Sequence, residues 1–267
     1  MPDLIPFGLT FSDAILWFRR KLRLPTSRWL DLLGASHDHA FVVAGATKAQ
    51  LLKDLQEAVD RAISEGTTLA DFRKAFDQAV QDAGWTYKGS RGWRTKTIYR
   101  TNLRTAHAAG RLRQMQSPEV AERRPYWQYR HGGSVIPREK HINSPARGGW
   151  NGLVLRGDDP WWRTHYPPNG WGCSCFVVTL SDADVARLGL EVAEAAPEVE
   201  TVEHTDTVTG EVRQVPAGID PGWDYASGAS READRERILE GALRNLPPDL
   251  ERQARAEITR QLARRPR

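Results

Sequence analysis

The sequence predicts an α+β protein, with a helical N-terminal module over residues 1–85, a mixed α/β core over 86–226 carrying a Cys/His-pinned loop, and a helical C-terminal tail over 227–267. Three observations predict it. Apolar residues recur at helical spacing through the first 85 residues and again over 92–116. Strand-like alternation replaces that period after Pro118. Between two strand segments lies Asp158–Cys175, a run with neither period, which holds both cysteines and three tryptophans.

The elements follow in chain order. Ser12 is placed to cap a helix from Asp13 to about Leu22, with Phe11, Ile15, Phe18 and Leu22 on one face and Pro25 as its stop. Thr47 starts a second helix, in which Leu51, Leu52, Leu55, Val59 and Ile63 share a face before Gly66 ends it. A third begins at Thr68, with Asp71 in the capping-box place, Phe72, Phe76 and Val80 on the buried side and Gly84 at its end. Over 92–116, Tyr99, Leu103, Ala106 and Gly110 line one helix face, and Arg100, Arg104, His107 and Arg111 line another. Tyr126–Arg130 and Phe176–Leu180 are strands. Ser181 with Asp184 opens a short helix to Leu188, and Glu198–Glu203 with Val212–Val215 forms a hairpin. From Ser230 to Arg267 the chain is Arg/Glu-rich helix broken at Pro247-Pro248, which reads as a mobile or partner-ordered tail.

With 267 residues, 40% of them hydrophobic, and ten tryptophans, the chain has apolar mass for one substantial core or two small ones. Asp3 and Pro6 interrupt the place where a signal peptide would need a basic start and an apolar run, and no stretch reaches the roughly 18 apolar residues of a membrane helix. The expectation is a protein made in a cytoplasm-like compartment. Two cysteines one residue apart cannot staple distant segments, which excludes a secreted disulfide framework. The formal charge of +4 hides a segregation: residues 86–147 carry 14 basic and 3 acidic side chains, and residues 148–230 carry 4 and 13. Such a basic block implies an anionic partner, an acidic neighbour within the fold, or both.

In an extended segment residues i and i+2 face the same side, so Cys173 and Cys175 offer both sulfurs to one point. Thiolates with imidazoles are a common zinc set. His165 lies eight residues upstream and His141 in the preceding loop, so the expectation is a structural Zn2+ held by Cys173, Cys175, His165 and His141. The competing reading is a pair of reduced thiols with surface histidines, because a lone Cys-x-Cys is not diagnostic. Asp158-Asp159-Pro160 reads as a turn, and Trp161, Trp162 and Trp171 as the side chains that pack the loop onto the core. Catalysis would need a nucleophile with a base or an open metal site. A cysteine beside a histidine, or a zinc nuclease using His131 and His141, meets that formally, but neither has a phosphate loop or an orienting third group in the sequence. The expectation is therefore a protein that is not an enzyme.

The run Asp158–Cys175, DDPWWRTHYPPNGWGCSC, resembles the signature of the phage Mu F-like minor head, or head morphogenesis, proteins. The likeness extends to Pro6–Lys21, His39–Gly45, Phe72–Trp85, Ile98–Asn102 with Gly110-Arg111, and Gly218–Tyr225, covering roughly residues 6–226. There are departures. Ser174 stands where the family has Arg between the cysteines. The family's Arg-x-x-His fits Arg138–His141, while an alternative register would put Arg147 at that histidine's place. The resemblance implies a virion protein of a tailed bacteriophage, in the head interior or at the portal vertex and assembled in the host cytoplasm. It would act in head assembly, DNA packaging or DNA delivery. The portal protein and major capsid or scaffold proteins would be its partners, with no membrane involved. Phage double-stranded DNA joins them as a non-specific partner, and Lys96, Arg100, Arg104 and Arg111 are the residues expected to hold its phosphates. A solvated helix face is the plain alternative for that stripe. The rival function is a metal-dependent nucleic-acid-processing enzyme using the Cys/His cluster.

Overall fold

Helical periodicity in the first half of the chain becomes a layer of helices packed around phenylalanines. The computed structural model describes residues 11–134 and 137–264. Asp3, Pro6 and the final residues of the expected tail helix lie outside the described residues. The first helix, α1, runs Ser12–Arg19 with Phe11 rather than Ser12 at its N-cap, and it stops short of Leu22. The reason is tertiary pairing: Leu22–Arg23 leaves the helix as a short strand, β1, parallel to β2 (Ala40–Phe41), with Leu22 N–H donating to the His39 carbonyl at 2.7 Å. Next come α2 (Ala49–Ser64) and α3 (Leu69–Ala83). The α3 start is the expected capping box, in which Thr68 and Asp71 satisfy each other's backbone amides, and Gly84 ends it in the left-handed conformation at φ 55°.

The long helix α4, Arg91–Met115, is capped by Ser90 and forms the spine of the molecule. Its first half closes the N-terminal core, where Phe18, Phe41, Leu51, Leu55, Phe72, Phe76 and Ile98 are buried together. Each fully buried phenylalanine or leucine contributes about 1.5–3 kcal/mol relative to exposure. Gly110 allows α1 to cross closely, since a Cβ there would come within 2.8 Å of the Ala14 amide nitrogen.

After α5 (Pro118–Arg123) the chain enters β3 (Tyr126–Arg130), then α6 (Glu139–Ile142), β4 (Val154–Arg156), α7 (Trp162–His165) and β5 (Phe176–Leu180). The strands form an antiparallel sheet in the order β4-β3-β5, with Trp127 paired to Leu155 and Thr179, and Tyr129 to Val177. This sheet and the second half of α4 enclose a second core of Trp127, Tyr129, Trp150, Trp161, Trp162 and Tyr166. The capping box at Ser181 and Asp184 starts α8 (Asp182–Leu188), and β6 (Thr201–Thr205) pairs with β7 (Val212–Pro216) as a hairpin.

The tail helices α9 (Arg235–Leu243) and α10 (Pro248–Ala263) are docked onto the N-terminal strands. Leu239, Leu243, Leu246 and Ala254 bury against Leu22, Leu24, Leu32 and Ala40. The Gln261 amide accepts from the Arg23 amide and donates to the Arg23 carbonyl, both at 3.0 Å, and so pairs with β1 as a further strand would. No helix among the described residues is long and apolar enough to cross a membrane.

Candidate metal centre and its basic helix

Three of the four expected metal ligands come together. His141 on α6 lies beside Cys173 and Cys175, with Nδ1 at 3.7 Å and 3.6 Å from the two sulfurs. The donor atoms of the three all lie within 4.8 Å of one another, and all three side chains are buried. His141 Nε2–H donates to the Gly218 carbonyl at 2.8 Å, which leaves the Nδ1 lone pair facing the sulfurs. Tetrahedral zinc with bonds of roughly 2.3 Å to sulfur and 2.05 Å to nitrogen would separate those donors by about 3.6 Å. The residues present fit such an ion, and the register that puts His141 rather than Arg147 at the cluster is the one the fold adopts.

His165 is the exception. It lies outside the cluster: its ring stacks on Trp161 at 4.2 Å and meets Trp150 edge-on at 5.0 Å, while Trp150 also packs against His141 at 5.2 Å. Its Nδ1 is engaged with the Thr164 hydroxyl at 2.7 Å. Burial pushes its pKa down to about 4, as suits a neutral core histidine. The cause is α7: its single turn points His165 into the tryptophan core instead of along the loop to the cysteines. His131 is not in the cluster either; its ring lies beside the Gly133 and Ser134 amides, at 3.4 Å from Nδ1 and 3.3 Å from Nε2, and accepts from one of them. Among the described residues the cluster has three donors.

The cluster sits in the tryptophan core, with polar groups at the sulfurs. Cys173 is pushed down by the hydrogen bond from the Cys175 thiol and then by His141, while Cys175 is pushed up by donating that hydrogen bond and then by burial. The backbone amides of Asn169 and Gly132 point at the two sulfurs, and the Tyr129 hydroxyl contacts Cys175 and donates to Asn169 Oδ1 at 3.0 Å. Asp220 forms a two-point ion pair with Arg138 and accepts the Trp171 amide at 2.8 Å. A Cβ on Gly170 would collide with both partners of that ion pair. Ser174, where the resembled family has Arg, shares a hydroxyl contact of 2.8 Å with Ser134.

Asp220, Gly218, Tyr129 and Asn169 were not expected at the site from residue chemistry. Gly218 and Asp220 sit in the Gly218–Tyr225 stretch singled out above, and Asn169 sits in the central run. The expected turn at Asp158-Asp159-Pro160 is present, with Asp159 accepting the Trp161 amide at 2.8 Å. Trp161 and Trp162 are buried, but Trp171 is 42% exposed and meets Trp29 and Trp223 edge-on rather than packing into the core.

The basic stripe divides. Lys96, Arg100 and Arg111 are exposed on α4. Arg104, between them, donates to the carbonyls of both Gly172 and Cys173 at 2.7 Å. It is committed to the cysteine loop, because its position on α4 lies directly under that loop.

Residues 53–178 match the family described as Phage Mu protein F like protein. The chain is 35% identical over 247 residues to the "Putative capsid assembly protein F" of Escherichia phage Mu, covering 82% of this chain and 54% of that protein. It is 32% identical over 228 residues to the "Mu-like prophage FluMu F protein" of Haemophilus influenzae, covering 77% of this chain and 53% of that protein. The chain thus spans about half the length of the curated relatives it matches. No solved structure matches it.

Proposed function

Because residues 53–178 place this chain in the phage Mu protein F-like family, we propose that it is a minor head protein of a tailed bacteriophage, acting in head assembly. The observation that carries this reading is the extended similarity to a capsid assembly protein of phage Mu. In this reading it works at the portal vertex, in contact with the portal and with capsid or scaffold proteins. Three sequence-distant segments, around Arg138–His141, Asn169–Cys175 and Gly218–Asp220, are tied to one another by His141, Arg138 and Asp220. A divalent ion, zinc by the chemistry of the donors, would lock that junction and fix the loop surface that partners meet.

Lys96, Arg100 and Arg111 supply the phosphate contacts that packaged or exiting DNA requires, without reading bases. Mass spectrometry of purified virions and empty procapsids tests the head reading. The protein is expected in low copy number in at least one of them, and its absence from both would overturn the reading.

A second reading rests on one observation: three donors leave a coordination position open, as catalytic zinc sites do. Here, however, His141 and Cys173 are each 1% exposed and Cys175 is 8% exposed, which would leave a nucleic acid no path to an ion held there. Nuclease assays with and without chelator separate the two, and chelator-sensitive cleavage would favour the enzyme.

A further inference from the structure

Beside the cysteine loop lies a cavity of about 460 Å³ that the metal centre does not use. Its walls come from the N-terminal segment, the first half of α4, Trp171 of the loop and the Pro221–Tyr225 stretch. The lining is mostly apolar, yet Lys21 and Arg94 line it too. Among the described residues neither cation has an ion-pair partner. Lys21, 4% exposed, sits with its ammonium 3.6 Å over the Trp17 ring. Arg94, 9% exposed, lies against Trp85 and Tyr87, donates to the Ala44 carbonyl, and has an Nε–H with no acceptor. The buried Thr26 hydroxyl on the same cavity also lacks a partner.

Arg94 is a buried cation without a carboxylate, and Lys21 has only the more distant Asp38, whose oxygens accept from the Gly228 and Ser230 amides; with two orphaned polar atoms on the same cavity, they carry a cost that a bound anion would relieve. The rim adds three partly exposed tryptophans, Trp29, Trp93 and Trp171, the residue type that anchors protein interfaces. The geometry points to a docking site for a partner protein's peptide segment in which an aromatic or aliphatic side chain stands next to a carboxylate. The apolar body would pack among the tryptophans, and the carboxylate would reach Arg94 and Lys21. Duplex DNA fits the cavity poorly, since its regularly spaced phosphates call for a row of exposed cations such as Lys96, Arg100 and Arg111 provide elsewhere on α4. Trp171 precedes Cys173 by two residues, so the metal-fitting loop also sets one wall of the site.

The inference deepens the docking role proposed above and rests on it only for the partner being a head protein. Its test is independent of virion composition. The full chain is titrated with N-acetyl-Leu-Phe-Glu-amide and with its Gln twin, following the indole N–H resonances by NMR. The Glu peptide is expected to shift the Trp93 and Trp171 signals and to bind at least about tenfold more tightly than the Gln twin. Arg94→Gln should abolish that preference. Trp93→Ala, at an exposed position that leaves the fold intact, should weaken both peptides. Equal binding of the two peptides, no shift at millimolar concentration, or stronger displacement of the same signals by a short oligonucleotide would each overturn the proposal.

Discussion

The imidazole of His141 is held by the Gly218 carbonyl at 2.8 Å, so a backbone atom 77 residues away decides which ring nitrogen meets the two cysteines. Second-shell acceptors of this kind fix the tautomer that a metal requires. Elemental analysis of the purified protein is expected to give one zinc per chain, lost in Cys173→Ser and His141→Gln. His165→Ala should keep the metal while losing about 1–3 kcal/mol of stability, because its ring packs on Trp161 and Trp150. Loss of metal in His165→Ala would return that residue to the ligand set.

Arg104 is predicted to act on the loop and not on DNA. Its two hydrogen bonds to the Gly172 and Cys173 carbonyls are charge-assisted, so Arg104→Met should cost about 1.5–3 kcal/mol and speed hydrogen exchange across residues 170–175. DNA retention should change little. Unchanged exchange in the loop would show that these bonds hold nothing.

For Lys96, Arg100 and Arg111 the expectation is the reverse. Three phosphate contacts give a salt slope near −2.7, hence about a 40-fold loss of DNA affinity between 50 and 200 mM salt. Arg100→Glu with Arg111→Glu should remove most of that slope without lowering the melting temperature by more than a few degrees. A binding curve insensitive to salt would assign the stripe to solvation alone.

Stability should fall with acid through the buried histidines. Burial holds His37 neutral, with its pKa pushed down to about 4 from the usual 6.5, while its Nε2 faces the Leu32 carbonyl. A depressed folded-state value stabilises the fold above pH 6.5, and that contribution is lost as pH falls from there toward 4. Thermal unfolding across pH 7 to 4 should show the decline, and His37→Gln should make it shallower, with the buried His165 carrying the same dependence in the variant. A parallel pH profile in the variant would locate the acid sensitivity elsewhere.

Local chemistry explains what was legible in the sequence. Thr68 with Asp71, Ser181 with Asp184, and Gly84 each specify an element end through a bond within four residues, and each lies where the spacing predicts. The same holds for Cys173 and Cys175, whose spacing alone aims both sulfurs at one point. Contacts across the chain left no such trace. Nothing near Ser12 reports that Leu22 pairs with Ala40, which shortens α1. Nothing near His165 reports the tryptophans that draw it away from the cysteines. Arg104 carries the same charge as Arg100, and only the loop lying over it separates their roles. Asp220 and Gly218 could be suspected from family likeness but not from their own chemistry.

The wiring of His141 also sets an order of events during synthesis. A nascent chain released from the ribosome only as far as Cys175 has both thiols and the imidazole, but not the Gly218 carbonyl that orients the ring or the Asp220 carboxylate that anchors the loop. The donors are present by then, but the groups that orient them are complete only after residue 220 has emerged. Metal capture would tighten at that point, and a chain terminated before it is expected to hold the ion about 10–100-fold more weakly.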